Sequence, residues 1–464
     1  MELSSMSISD ILQKGSIDGC SCGRRHQTQL AYLELGPGAI ARLPDLLRRA
    51  GLERPFLVSD PNTQKAAGEQ ARLLLKDAGI PFEALVLREG RPEPDEAALG
   101  ELCMRFDASC DCILAVGSGV INDLCKMLAA AVGKRSILIA TAPSMDGFAS
   151  ASGSMIVGGV KVSLPCPCPI GVIADTQIMA AAPMRMLQAG LGDALAKYIS
   201  ICEWRISHLV TGEYYCPEIA QMVRNSLKRT VAQADKLLAR DLDAVGNVAE
   251  ALILSGIAMS FAGLSRPASG IEHYFSHMWE MLALQQGQEC DLHGIQVGVG
   301  TLLAARLYEW IRQVRPDKRR AQEHMRCFSQ AAWEAEMPSY FGSAAGEIIA
   351  AEKRLHKNDP QKHAQRLCRI MEHWGEILNI IEQEVPSYSF IYNIMHQAQM
   401  PLLSGDLGIS ARQVKSAFLG TREIRDKYVA SSLLWDLGLE KEFAKRLEQS
   451  VLAEQESEKR AGKK

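Results

Sequence analysis

Up to Asp175 the chain alternates short apolar runs with longer amphipathic stretches. Residues 30–35, 55–59 (PFLVS), 82–87, 112–116 (CILAV), 136–140 (SILIA) and 171–174 read as strands. Residues 39–50, 63–78, 93–106 and the stretch from Gly119 to Val132 carry helical periodicity between them. Alternation of this kind is the pattern of a parallel sheet covered by helices. From Ala180 onward strand signals almost vanish and helical periodicity runs to the end. The expectation is an α/β N-terminal domain with a parallel sheet, residues 1–178, followed by an all-α C-terminal domain, residues 179–464.

Three stretches punctuate this pattern. Residues 142–152 form a loop of small residues around Asp146-Gly147, and residues 154–164 alternate about Gly158-Gly159 as a hairpin would. Cys166-Pro-Cys-Pro169 suits neither a helix nor a central strand. The charged residues 453–464 read as a frayed tail.

Composition adds limits. A chain of 464 residues with 47% hydrophobic and 23% charged residues fits two or three soluble globular domains, and a net charge of −3 gives no reason to expect a nucleic-acid partner. The longest apolar run, residues 251–264 (ALILSGIAMSFAGL), is short for a bilayer and reads as a buried helix; the N-terminus lacks the basic-then-apolar form of a signal peptide. Thirteen cysteines scattered among apolar residues suit reduced thiols in the cytoplasm. The cluster Cys20-Ser-Cys22-Gly-Arg-Arg-His26 has zinc-binding residue types. Its Cys-x-Cys spacing is tighter than the usual structural pattern and no second pair follows, so a surface turn leading into a strand is the favoured reading.

The richest chemistry lies in residues 266–294 (RPASGIEHYFSHMWEMLALQQGQECDLHG). His273 and His277 are four apart and share a helix face; His293 follows a break at Gly287. Neutral imidazole ligates zinc, iron and nickel, while a His pair on an apolar helix can equally be a satisfied core pair. A metal would need a carboxylate as well, and Asp193 in Gly190-Leu-Gly-Asp-Ala-Leu-Ala-Lys197 is the candidate, one turn before Lys197 on a predicted helix. Upstream, a strand runs into Gly117-Ser118-Gly119 and then a helix, a turn that lets backbone N–H groups approach a phosphate, although it lacks the full dinucleotide fingerprint. Asp60 at the end of an earlier strand is either a cap or an acceptor for ribose hydroxyls. Asp146, after another strand, is either a turn residue or an acceptor for a substrate hydroxyl.

Together, Asp60-Pro-Asn-Thr63, Gly117-Ser-Gly119 with Asp123 and Lys126, residues 141–150 (TAPSMDGFAS), Gly192-Asp193, residues 266–273 (RPASGIEH), His277 and His293-Gly294 resemble the metal-dependent polyol dehydrogenases. That family includes glycerol dehydrogenase, iron-containing alcohol dehydrogenase and dehydroquinate synthase. Residues 204–217 (WRISHLVTGEYYCP), 418–428 (FLGTREIRDKY) and 20–26 (CSCGRRH) look most like its bacterial glycerol-1-phosphate dehydrogenase group. The resemblance implies a Rossmann-like domain followed by an all-α domain, as in dehydroquinate synthase. It implies one divalent metal (zinc, nickel or iron) on Asp193, His273 and His293, and Asp146, His277 and Lys197 around the substrate. It places Asp60, Gly117, Ser118, Gly119, Val120, Ile121, Asp123, Thr141, Ser144 and Ser150 around NAD(H) or NADP(H). Ser118 departs from the glycine often found at that position.

The activity so implied is the reversible, metal-dependent reduction of dihydroxyacetone phosphate to sn-glycerol 1-phosphate, with hydride passing from the nicotinamide cofactor to C2 and without membrane insertion; the extended tail and helical domain are compatible with a homodimer. Arg266, Lys161 and Lys197 are the cations available for the substrate phosphate. The competing readings are a dehydrogenase of an unphosphorylated polyol such as glycerol, a dehydroquinate synthase-like cyclase, and a silent metal- or nucleotide-binding protein.

Overall fold

The computed structural model describes residue 3 and residues 6–87, 92–158 and 160–461. Its strands in chain order are β1 (Ser16–Ile17), β2 (His26–Gln27), β3 (Tyr32–Gly36), β4 (Pro55–Ser59), β5 (Glu83–Val86), β6 (Cys112–Gly117), β7 (Arg135–Ala140), β8 (Ser152–Val157), β9 (Val160–Pro165) and β10 (Gly171–Asp175). Among the described residues, no strand follows Asp175. The described chain divides into two compact units, Met1–Ala194 with Cys216–Ala268, and Leu195–Tyr215 with Ser269–Lys464.

The first unit holds a six-stranded sheet, ordered β3-β10-β7-β6-β4-β5 and parallel throughout. Strands β4, β6 and β10 are buried at every position, whereas β3 and β5 are only half-buried. This follows from sequence: runs without polar alternation sit where helices cover both faces, and mixed runs take the edges. The core on one side gathers Leu43, Leu46 and Leu47 with Leu57, Leu114, Ile137 and Ile173. Asp175 closes β10 with its carboxylate, accepting from Gly38 N–H at 3.2 Å, Ile40 N–H at 3.1 Å and Gln177 N–H at 3.0 Å.

Strands β8 and β9 pair antiparallel, as the alternation implies; Gly158 at the tip has φ 58°, and Gly159 lies outside the described residues. The helix Leu242–Ala262 is long and apolar enough to cross a membrane by length and composition (mean hydropathy 1.5), yet 72% of that window is buried within the protein.

Among its described residues, the second unit contains helices and connecting loops but no strand. Its helices Ile271–Gln286 and His293–Ile311 pack together. A Cβ on Gly300 would lie 2.4 Å from the Glu272 carbonyl oxygen, so only glycine lets these two backbones approach so closely. The last helix, Glu440–Ala461, corrects the expectation of a frayed tail up to that point: residues 453–461 are rich in strong helix formers, and Leu447 and Val451 anchor the preceding turns in the core. Residues 462–464 lie outside the described residues.

Candidate active site

Parallel strands present their following loops at one sheet edge. From β4 the chain moves outward to β5, and from β6 it moves the opposite way to β7. Neighbouring strands whose connections leave in opposite directions open a crevice at their carboxyl ends. The registers Val58↔Ala115 and Gly117↔Ala140 align the ends of β4, β6 and β7 there. Asp60, the Gly117–Gly119 turn and Thr141 therefore lie along one edge.

Asp60 caps the helix that follows it. Its Oδ1 accepts from Asn62 N–H at 2.8 Å and Thr63 N–H at 2.9 Å, leaving Oδ2 as the oxygen able to meet a ligand. Ser118 is the N-cap of helix Gly119–Val132, but its side chain makes no bond to the first turn. Its hydroxyl instead meets Ser144 Oγ at 2.6 Å and donates to the Ala142 carbonyl at 3.1 Å. The N–H groups of Gly119, Val120 and Ile121 thus begin the helix without a side-chain cap, which is the arrangement of an anion site.

Two of the expected cofactor residues are engaged in holding the neighbouring loop. Asp123 accepts from Ser154 N–H at 3.1 Å and pairs with Lys126 at 2.9 Å. Lys126, fully buried, donates to the Gly147 carbonyl at 3.1 Å, to Ser150 Oγ at 3.2 Å and to the Ser152 carbonyl. Burying an ammonium is costly unless it is paired and hydrogen-bonded, and these partners meet that need. Ser150 Oγ in turn donates to the Gly147 and Ser152 carbonyls, so Asp123 and Ser150 hold the loop that follows β7.

The loop also positions Asp146. Its N–H donates to Asp193 Oδ2 at 2.9 Å, and its own Oδ2 accepts from Ser255 Oγ at 2.8 Å. Asp193 is fully buried. Gly190, one turn earlier on helix Met184–Leu195, makes this possible: a Cβ there would lie 1.8 Å from the Pro143 carbonyl oxygen.

The second unit brings three imidazoles together. The ring centroids of His273 and His293 are 5.3 Å apart, those of His277 and His293 5.6 Å, and those of His273 and His277 6.4 Å. Each ring has its Nδ1 near a carboxylate. His273 Nδ1 is 2.9 Å from Glu272 Oε1, His293 Nδ1 is 3.1 Å from Glu280 Oε1 and 3.1 Å from Ser276 Oγ, and His277 Nδ1 is 3.5 Å from Glu280 Oε2. Burial pushes the His277 imidazole down to about 3, against the opposing pull of Glu280, so the ring is neutral near pH 7. A quarter of its side chain remains exposed, so a ligand can reach it.

Lys197 and Arg266 are both buried. The helix bearing Asp193 ends at Leu195 and the next begins at Lys197, so the two residues do not share one helix as their spacing implies. Arg266 lies in the segment between helices Leu242–Ala262 and Ile271–Gln286, not on the histidine helix. Glu280, Glu272 and Ser255 were not picked out by sequence reasoning. Glu280 carries a signal, because it continues the 273/277 face at the next turn; Ser255 carries none, because its partner Asp146 is 109 residues away.

The fold and these motifs agree with known proteins. Residues 34–183 match the family profile of iron-containing alcohol dehydrogenase. A glycerol-1-phosphate dehydrogenase (NAD(P)+) of Halalkalibacterium halodurans is 40% identical over 294 residues, covering 62% of this chain and 74% of that protein. One of the same name from Bacillus licheniformis is 32% identical over 299 residues, covering 64% of this chain and 75% of that one. The crystal structure of glycerol dehydrogenase from Schizosaccharomyces pombe shares the fold, with TM-score 0.57 and 15% identity over 91% of each chain. The chain belongs to the glycerol-1-phosphate dehydrogenase family, within the NAD(P)-dependent, metal-containing iron-type alcohol dehydrogenases.

Proposed function

We propose that the protein catalyses the reversible, NAD(P)-linked reduction of dihydroxyacetone phosphate to sn-glycerol 1-phosphate. Its likeness to the dehydrogenases of H. halodurans and B. licheniformis supports this substrate over unphosphorylated glycerol, and over a cyclase reaction. The observation that carries the reading to residues is the set of three imidazoles with their Nδ1 atoms beside Glu272 and Glu280.

Asp193, His273 and His293 would hold one divalent metal, and the donor set suits it. A carboxylate beside Nδ1 fixes the tautomer that carries its lone pair on Nε2, which is how metal-binding histidines are usually oriented. Two imidazoles and one carboxylate also leave positions for substrate, and they suit zinc, nickel or iron. When bound, such a metal polarises the C2 carbonyl as a Lewis acid.

His277, neutral and oriented by Glu280, is suited to accept from a substrate hydroxyl. As a proton donor at neutral pH it would be weak, which favours the hydroxyl contact over a proton relay. Asp146, tethered by Ser255, would take a second substrate hydroxyl. Arg266, Lys161 and Lys197 remain the cations assigned to the phosphate, with Arg266 favoured for its bidentate fit. On the sheet edge, the N–H groups of Gly119 to Ile121 would receive the cofactor pyrophosphate, with Ser118, Thr141 and Ser144 beside it and Asp60 Oδ2 at the ribose. A carboxylate there would repel a 2′-phosphate, so NADH is the preferred donor. We further read the protein as a cytoplasmic homodimer; its thirteen cysteines, none in a disulfide, suit a reducing compartment.

The test is NADH or NADPH oxidation with dihydroxyacetone phosphate by metal-stripped protein reloaded with zinc, nickel or iron in turn, together with the enantiomer of the product. Equal activity on glycerol would overturn the substrate assignment.

A further inference from the structure

The first unit contains a further cluster of metal-ligating side chains, made of none of the residues assigned to the proposed reaction. Cys20, Cys22, His26 and Cys216 each turn one ligand atom inward, and all four atoms lie within 4.8 Å of one another. Cys20 Sγ is 3.6 Å from Cys216 Sγ; His26 Nε2 is 3.3 Å from Cys22 Sγ and 3.8 Å from Cys216 Sγ.

These separations match the edges of a small tetrahedron. With zinc–sulfur bonds of about 2.3 Å and zinc–nitrogen bonds of about 2.0 Å, tetrahedral geometry sets sulfur–sulfur edges of about 3.8 Å and sulfur–nitrogen edges of about 3.5 Å. The imidazole is oriented as well. His26 is fully buried, and its Nδ1 lies 3.1 Å from the Phe261 carbonyl oxygen. That carbonyl can only accept, so Nδ1 carries the proton and Nε2 turns its lone pair towards the thiols, as in the outer shell of a metal-bound histidine. Cys216 is also fully buried.

We propose that Cys20, Cys22, His26 and Cys216 hold one structural zinc ion. With four protein ligands the site is closed, so its role is architectural. Cys20 and Cys22 lie in the turn between β1 and β2, His26 begins β2, and Cys216 immediately precedes helix Pro217–Val231. The ion fastens the N-terminal hairpin to a segment 190 residues further along the chain. Spacing alone argues against this, because it shows only the Cys-x-Cys pair and the histidine; the fourth ligand is supplied by the fold.

Cobalt exchange of the full-length protein tests it. Only thiolate ligands give an intense sulfur-to-cobalt charge-transfer band in the near ultraviolet; the carboxylate and imidazoles proposed for the active site cannot. The expected result is this band in the wild type and in Asp193→Asn, its loss in Cys20→Ser/Cys22→Ser, and one fewer zinc per chain in that double variant. The site is independent of the proposed reaction, since the band should persist where Asp193→Asn abolishes turnover. Absence of the band from cobalt-loaded wild type, or its persistence in the double variant, would overturn the proposal. So would a titration of the unfolded, unreduced chain finding two thiols fewer than thirteen with Cys20 and Cys216 blocked, which would assign the pair to a disulfide. The wild-type spectrum and thiol count decide the matter even if the double variant does not fold.

Discussion

Glu280 Oε1 lies 3.1 Å from His293 Nδ1, and the other oxygen of the same carboxylate lies 3.5 Å from His277 Nδ1. One buried carboxylate therefore orients two imidazoles that come from different helices. Replacing it with the isosteric amide should keep the fold while loosening both rings. Glu280→Gln is expected to weaken metal binding by about 10–100-fold, the usual cost of losing such an outer partner. Titration of metal into stripped enzyme should show activity restored only at higher metal concentration; an unchanged half-saturation point would remove Glu280 from this role.

Gly300 sets how closely helix His293–Ile311 approaches the backbone at Glu272, next to His273. Gly300→Ala forces its methyl group against a carbonyl oxygen. Overpacking of this kind costs about 1–3 kcal/mol, so the melting temperature should fall and metal affinity should fall with it. A variant with wild-type melting and metal affinity would show that these helices can separate without consequence.

Asp60 has two tasks that substitution can separate. Asn caps a helix about as well as Asp, so Asp60→Asn should stay within about 0.5 kcal/mol of wild type, while Asp60→Ala loses about 1 kcal/mol. If Oδ2 meets the ribose, both variants should raise KM for NADH and narrow the preference over NADPH. Unchanged cofactor constants in Asp60→Asn would leave Asp60 as a cap alone.

Glu440 offers a pH signature away from the site. Its carboxyl is pushed up to about 8, chiefly by burial. In the unfolded chain it ionises near 4.5, so its contribution to stability is fully present below that pH and is lost as pH rises through about 8. Glu440→Gln removes the penalty. The variant should match wild type near pH 4.5, gain on it through neutral pH, and hold a constant advantage of a few kcal/mol above pH 8, at about 1.4 kcal/mol per pKa unit. Thermal melts across pH in buffers of equal ionic strength would show a flat difference if Glu440 ionises normally in the folded chain.

The sheet was legible in the sequence because buried parallel strands are uninterrupted apolar runs bounded by turns, as PFLVS and CILAV are. The histidine set was legible because His273 and His277 repeat at a helical period and His293 follows a glycine break. Residues whose partners are remote in sequence were not. Ser255 is an ordinary serine on an apolar helix until the loop carrying Asp146 is folded against it. Cys216 is a lone cysteine until β2 brings His26 within 3.8 Å. The family resemblance assigns Asp123 and Ser150 to the cofactor, while their hydrogen bonds to Ser154 and Lys126 depend on a loop conformation that composition does not encode.

The proposed reaction is hydride transfer to C2 of a phosphorylated triose, with a metal held by Asp193, His273 and His293. Its most direct test is a single reconstitution series: stripped wild type and His293→Ala, each supplied with zinc, nickel or iron, NADH and dihydroxyacetone phosphate, with the product resolved by enantiomer. Metal-dependent turnover that yields sn-glycerol 1-phosphate is expected in the wild type, with a loss of at least about two orders of magnitude in His293→Ala. Turnover that survives metal removal, or that yields the opposite enantiomer, would contradict it.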